Sequence, residues 1–193
     1  MSSMHWISSL KSNNFRPIII FKILHMVSSR DMVGFFHACV TGCTALYYVP
    51  YLMTANIESA NDVGRFCAKF TLQYMIYDLM YCEKIEYVFH HSLAIIACSF
   101  VLYTKTYETL VLYVEVNEVS TIFLGLAYMN ILKKINQFIF VLTFIICRIM
   151  WLPWIIWNKR VDGALRFIMY VHYALQLFWL AKIYKKIIRL ISG

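Results

Sequence analysis

His90 and His91 are adjacent, and the stretch that follows them, to Tyr103, is apolar apart from two serines. Imidazole is the side chain best suited to taking up and releasing protons near neutral pH, and it also serves as a nucleophile. Asp78, twelve residues upstream of the first histidine, is a carboxylate suited to orienting one ring and stabilising its charged form. The run that holds the pair near its start, roughly Ile85 to Tyr103, is long enough to cross a membrane, where an ionisable side chain is costly unless it has work or partners. The plainer alternative is that both histidines only hydrogen-bond to neighbouring helices. His37, Glu115, Glu118, Thr121, Arg148 and Gln176 are the other polar groups that fall inside apolar runs.

Those groups have to be positioned by helices within a bilayer. The 193 residues are 61% hydrophobic and 15% charged, with a mean hydropathy of +0.64. That balance excludes an ordinary soluble domain. The net charge of +8 lies between apolar runs. It fits membrane topology and anionic headgroups rather than nucleic acid, since no basic helix is free of the membrane. The six cysteines form no C-x-x-C pair and read as small reduced core residues, with no metal site. The fold expected is all-α: a polytopic membrane protein with a single bundle of about six helices around a central cavity.

Residues 1–30 read as a cytosolic or interfacial segment, and 31–190 as the transmembrane domain. Within the first, Phe15 to Val27 carries Arg16, Lys22 and His25 and is too short to span. An amphipathic interfacial segment is expected there, with a short buried helix as the alternative. The six spans are placed at Asp31–Leu52, Arg65–Tyr81, Ile85–Tyr103, Thr109–Met129, Gln137–Trp157 and Ala164–Ile188. Lys11, Arg16, Lys22, Arg30, Lys84, Lys133, Lys134 and a basic C-terminal cluster share one side. Their excess puts both termini in the cytosol. Trp151, Trp154 and Trp157 are expected in the opposite aromatic belt.

At a rise of ~1.5 Å per residue, depth follows from distance to a helix end. His37, His90 and His91 come out roughly 9–10 Å in from the cytosolic side, and Asp78 at about 5 Å. Glu118 falls at about 16 Å, and Glu115, Arg148 and Gln176 near 20 Å. Five helices therefore place polar groups in one column. Arg148 needs a counter-ion at that depth, and Glu115 or Glu118 is the candidate. Glu115, Glu118 and Thr121 recur at three-residue steps and so share a helix face. The two histidines point about 100° apart, so one can face a cavity while the other meets a neighbour or Asp78. His172, Tyr173 and Gln176 form a polar stripe toward the lumenal half of the last span, and His172 reads as structural.

Arg30-Asp31-Met32-Val33-Gly34-Phe35-Phe36-His37 resembles the opening of a TLC domain, the homology shared by TRAM, the ceramide synthases and several TLC-domain-containing proteins. Tyr77-Asp78, His90-His91, Glu118-Val119-Ser120-Thr121 and Arg148 are similar to that family's later landmarks in order and spacing. The resemblance covers about residues 30 to 190. It implies an endoplasmic-reticulum or related endomembrane protein that handles acyl lipids within a ring of helices. Ceramide synthases carry Thr where this chain has Ala94, and a His-Asp motif where it has Glu115 to Thr121. The chain therefore looks nearer the TLC-domain-containing branch.

Two functions are then expected. One is an acyl-CoA-dependent N- or O-acyltransferase. In it His90 or His91 serves as base or acyl acceptor, Asp78 orients an imidazole, and acyl-CoA is a co-substrate with no bound cofactor. Membrane lipids are the partners, and a homodimer is compatible with the sequence. The alternative is a non-catalytic lipid-binding protein that regulates membrane lipid composition or trafficking.

Overall fold

The computed structural model describes residues 17–27, 29–54, 58–161 and 163–192. Residues 1–16 of the proposed interfacial segment, with Lys11 and Arg16, lie outside the described residues. So do residues 55–57 of the loop after the first span. The elements are α1 (Pro17–Val27), α2 (Arg30–Thr54), α3 (Glu58–Leu79), α4 (Ile85–Thr104), α5 (Glu108–Glu115), α6 (Glu118–Tyr128), α7 (Lys133–Phe144), a π-helical segment (Ile145–Met150), α8 (Trp151–Asn158) and α9 (Gly163–Ser192). No strand occurs among the described residues.

Among the described residues, five helical stretches are long and apolar enough to cross a membrane: Arg30–Met53, Ile85–Thr104, Glu108–Tyr128, Lys133–Asn158 and Gly163–Arg189. The sixth expected span is α3, which at 22 residues has the length but not the apolarity. Three of its polar groups are instead answered by protein. Arg65 pairs with Glu108 at 3.0 Å, Thr71 donates to Glu115, and Asp78 pairs with Arg30. A span whose charges are matched by neighbouring helices need not read as hydrophobic, because lipid does not solvate them. Six alternating segments, each running back along the last, build the all-α bundle expected from the sequence.

α1 is an 11-residue helix, too short to span at ~1.5 Å per residue. It packs Phe21, fully buried, edge-on to Phe70 and Tyr74 of α3, while Ile23 and Met26 face outward. It is thus docked on the bundle by one face. The core proper gathers Ala45, Cys67, Ala68, Leu112, Leu152 and Ile155 from four helices. Close approach of α3 to the start of α5 depends on Gly64, since a β-carbon there would overlap the carbonyl of Glu108.

Two departures from regular helix shape the interior. The fourth span is tightened between α5 and α6. Asn117 N–H bonds the carbonyl of Val114, and Val119 N–H that of Val116, three residues back rather than four. The fifth span widens into its π-helical segment around Arg148. Trp157 faces outward at the far end, as an aromatic belt requires. Trp151 instead donates its indole N–H to the carbonyl of Tyr113 and stacks on Trp154.

Candidate functional site: a polar cavity at the histidine pair

The starts of α2, α4 and α7 and the ends of α3, α6 and α9 meet at one end of the bundle. Between them lies a cavity of about 660 Å³. Its wall runs from Arg30, Lys182 and Lys186 near the helix ends, past His90 and His91, to Glu118, Thr121 and Arg148 near the helix middles. Cations therefore stand at its outer end and a carboxylate–guanidinium pair at its inner end. A second, smaller cavity of about 100 Å³ lies toward the opposite end, lined by Ala97, Val101, Leu110, Leu165 and Met169 with Glu115 and His172 among them.

His91 is buried, and both of its ring nitrogens are engaged. Nε2 lies 3.4 Å from Asp78 Oδ2, and Nδ1 lies 3.4 Å from Cys82 Sγ. Asp78 stands in the last turn of α3, where Arg30 grips both of its oxygens at 2.6 and 3.0 Å. Arg30 also donates to the carbonyl of Tyr81 at 2.8 Å. A guanidinium is well suited to that place, since helix ends leave carbonyls unpaired and carry partial negative charge.

His90 has a different setting. Its ring stacks on His172 at 5.2 Å and meets the edge of Trp179 at 5.1 Å. His90 Nδ1 is buried and has no hydrogen-bond partner among the described residues. The division of the pair thus follows from the ~100° step between neighbours on a helix: one ring turns toward α3, the other toward α9. His172 approaches His90 although sequence depth puts it in the lumenal half. α9 runs 30 residues, so depth counted from its start does not compare with that on the 20-residue α4.

Deeper in, Arg148 donates to Ser120 Oγ at 2.8 Å, Thr121 Oγ1 at 2.8 Å and Gln176 Oε1 at 3.2 Å. Glu118 Oε1 is 3.6 Å away, so Glu118 is its carboxylate partner. Glu115 is not. It accepts from Thr71 Oγ1 at 2.6 Å, and Thr71 in turn meets His37 Nε2 at 3.0 Å. The tightened turn between α5 and α6 rotates Glu115 away from the face shared by Glu118 and Thr121. His37 belongs to this second chain of contacts, its ring stacked on Tyr74 at 4.1 Å. Asp78, His90, His91, Glu118, Thr121 and Arg148 therefore share one cavity wall, with Gln176 behind Arg148.

Sequence reasoning gives no site role to Arg30, Cys82, Thr71, Ser120 or Trp179, with Arg30 and Ser120 entering only within the family landmarks or the charge count. Arg30 and Cys82 sit at helix ends, where polar residues are expected and attract no notice. Cys82 does stand four residues after Asp78, a spacing that puts two side chains on one side of a helical turn. Asp78, Cys82 and His91 have donor atoms all within 4.8 Å of one another, types that suit a divalent metal. Here the Arg30 guanidinium already supplies the positive charge that the carboxylate faces.

Neither the curated proteins nor the solved structures contain a match to this chain. The sequence does match the family model of the TLC domain from residue 27 to residue 185, which takes in α2 and most of α9 with everything between. An integral membrane bundle of this kind, matched over most of its length, belongs to the TLC-domain family.

Proposed function

We propose that the protein transfers an acyl group from acyl-CoA to an amine or hydroxyl of a membrane lipid, at the histidine pair. The observation that carries this reading is the grading of the interior. A roomy cavity begins among Arg30, Lys182 and Lys186 and reaches a histidine with a free ring nitrogen. An apolar chamber lies further along. Cations at one end suit the phosphates of a coenzyme A group, which cannot enter lipid. The apolar chamber suits the chain that the coenzyme carries.

In this reading His90 takes the proton of the attacking amine or hydroxyl, and its stacking on His172 and edge contact with Trp179 hold the ring in place. Asp78 orients His91. The Glu118–Arg148 pair, with Ser120, Thr121 and Gln176, shapes the polar inner end of the cavity. Acyl-CoA acts as co-substrate, and the basic end of the cavity faces the cytosol with both termini. The membrane is that of the endoplasmic reticulum or a related compartment.

The test is turnover by purified protein in lipid nanodiscs. Radiolabelled palmitoyl-CoA is supplied with a sphingoid base, or with lysophospholipids, and labelled lipid and free coenzyme A are both measured. The wild type should release coenzyme A and form a labelled product. His90→Ala should lower the rate by at least about a hundredfold, the lower end of what a positioned base contributes. Asp78→Asn should cost less. A wild type at background that nonetheless retains lipid through purification would instead mark a lipid-binding protein without this activity.

A further inference from the structure

Cys82 lies in the turn between α3 and α4, partly exposed, four residues beyond Asp78. His91 stands between the two side chains, with Nδ1 toward the Cys82 sulfur and Nε2 toward the Asp78 carboxylate, each at 3.4 Å. A thiol, an imidazole engaged at both nitrogens and a carboxylate form the order nucleophile, base and orienting group. Unliganded sites hold such contacts looser than the hydrogen bonds of the reacting complex. Arg30 Nη2 is 3.2 Å from the same sulfur and brings positive charge to it. Arg30, Asp78 and His91 all line the large cavity. Cys67, Cys98 and Cys147 are buried, and none has a comparable histidine–carboxylate pair among the described residues.

We propose that Cys82 is the residue that first accepts the acyl group, with His91 as its base and Asp78 orienting that base. This rests on the acyl-transfer reading and adds a covalent step to it. Burial, and next the Asp78 carboxylate, push the resting thiol above its ordinary range, while Arg30 pulls the other way. The thiol is therefore neutral at rest, and a base within reach is required. His91 Nδ1 takes the thiol proton as the sulfur attacks the carbonyl carbon of the acyl-CoA thioester. The bond from that carbon to the coenzyme A sulfur breaks, and the departing sulfur takes the proton from His91. Cys82 then carries the acyl chain as a new thioester. In the second half, the acceptor amine or hydroxyl gives its proton to His90 and attacks the same carbon. The Cys82 sulfur leaves as a thiolate and takes up a proton from solvent through His91, while His90 gives its proton to solvent, so both groups return to their starting states. No oxidant, reductant or metal is needed.

The experiment combines adduct mapping with turnover. Wild-type protein is mixed with radiolabelled palmitoyl-CoA without acceptor, quenched, and digested for peptide mass spectrometry. About one acyl group per chain is expected on the peptide holding Cys82, released by neutral hydroxylamine. Cys82→Ala should lose the adduct and lower turnover by at least about a hundredfold. Cys82→Ser, which keeps a polar group in the turn and guards against a folding defect, should accumulate an ester that neutral hydroxylamine does not cleave, or none at all. Cys43→Ala, at an exposed position on α2, should behave as wild type. Product formation at the wild-type rate by Cys82→Ala or Cys82→Ser, or an adduct confined to another residue, would overturn the role of Cys82 and leave the acyltransferase standing. A wild type with neither adduct nor product would overturn both.

Discussion

At the scale of residues, the interior is a set of matched pairs in which each partner's position explains the other's. Arg148 is buried beside Ser120, Thr121, Gln176 and Glu118, and a cation so placed is tolerable because each of its three nitrogens has a polar partner. Arg148→Met should strand Glu118 and lower the melting temperature in detergent. Losses of about 3–5 kcal/mol are usual when one partner of a buried pair is removed. Adding Glu118→Gln should recover part of that loss. Adding Glu115→Gln should not, since Glu115 is bonded to Thr71 instead. Sequence leaves those two carboxylates level. Their three-residue spacing puts them on one face of a regular helix, and only the tightened turn at Val116 and Asn117 separates them. That turn has no proline or glycine to announce it. The pairing of a carboxylate with His91 was legible, because Asp78 comes so soon before the pair in a tight antiparallel connection. The arginine on its other side was not, because a basic residue at a helix start carries no information about where it reaches.

At the scale of elements, apolar length locates five of the spans and the polar column within them. The weak reading is α3, whose composition does not qualify it although every neighbour needs it. Two of its charges, Asp78 and Arg65, are answered across the bundle by Arg30 and Glu108, and pairings between distant segments are invisible to a window that slides along the chain. The π-helical segment is hidden too, since IICRIM, which holds the buried Arg148, is as good an α-helix as its flanks. α3 and α5 meet at Gly64 against the backbone of Glu108. Gly64→Ala should therefore destabilise the fold by about 1–3 kcal/mol, the usual cost of an added methyl group in a filled site, read as a lower melting temperature. A backbone carbonyl cannot swing aside as a side chain can. An unchanged melting temperature would mean that the two helices sit further apart than described.

For the whole molecule, orientation decides which solution the large cavity meets. Arg30, Lys84, Lys133, Lys134, Lys182, Lys185 and Lys186 crowd the end where it lies. The distribution of basic residues predicts that this end, with both termini, is cytosolic. A glycosylation acceptor appended to the C-terminus should stay unmodified in microsomes, while one inserted between Asn158 and Gly163 should be glycosylated. The reverse pattern would turn the cavity away from cytosolic acyl-CoA. The central claim is that this interior holds an acyl-CoA, with its coenzyme among the cations and its chain beyond the histidines. Photolabelling with a palmitoyl-CoA that carries a diazirine at the chain terminus tests it most directly. Crosslinks on Ala97, Val101, Leu165 or Met169, suppressed by excess palmitoyl-CoA, are the predicted result. Label confined to outward-facing side chains such as Phe138 and Phe167, and insensitive to competitor, would contradict it.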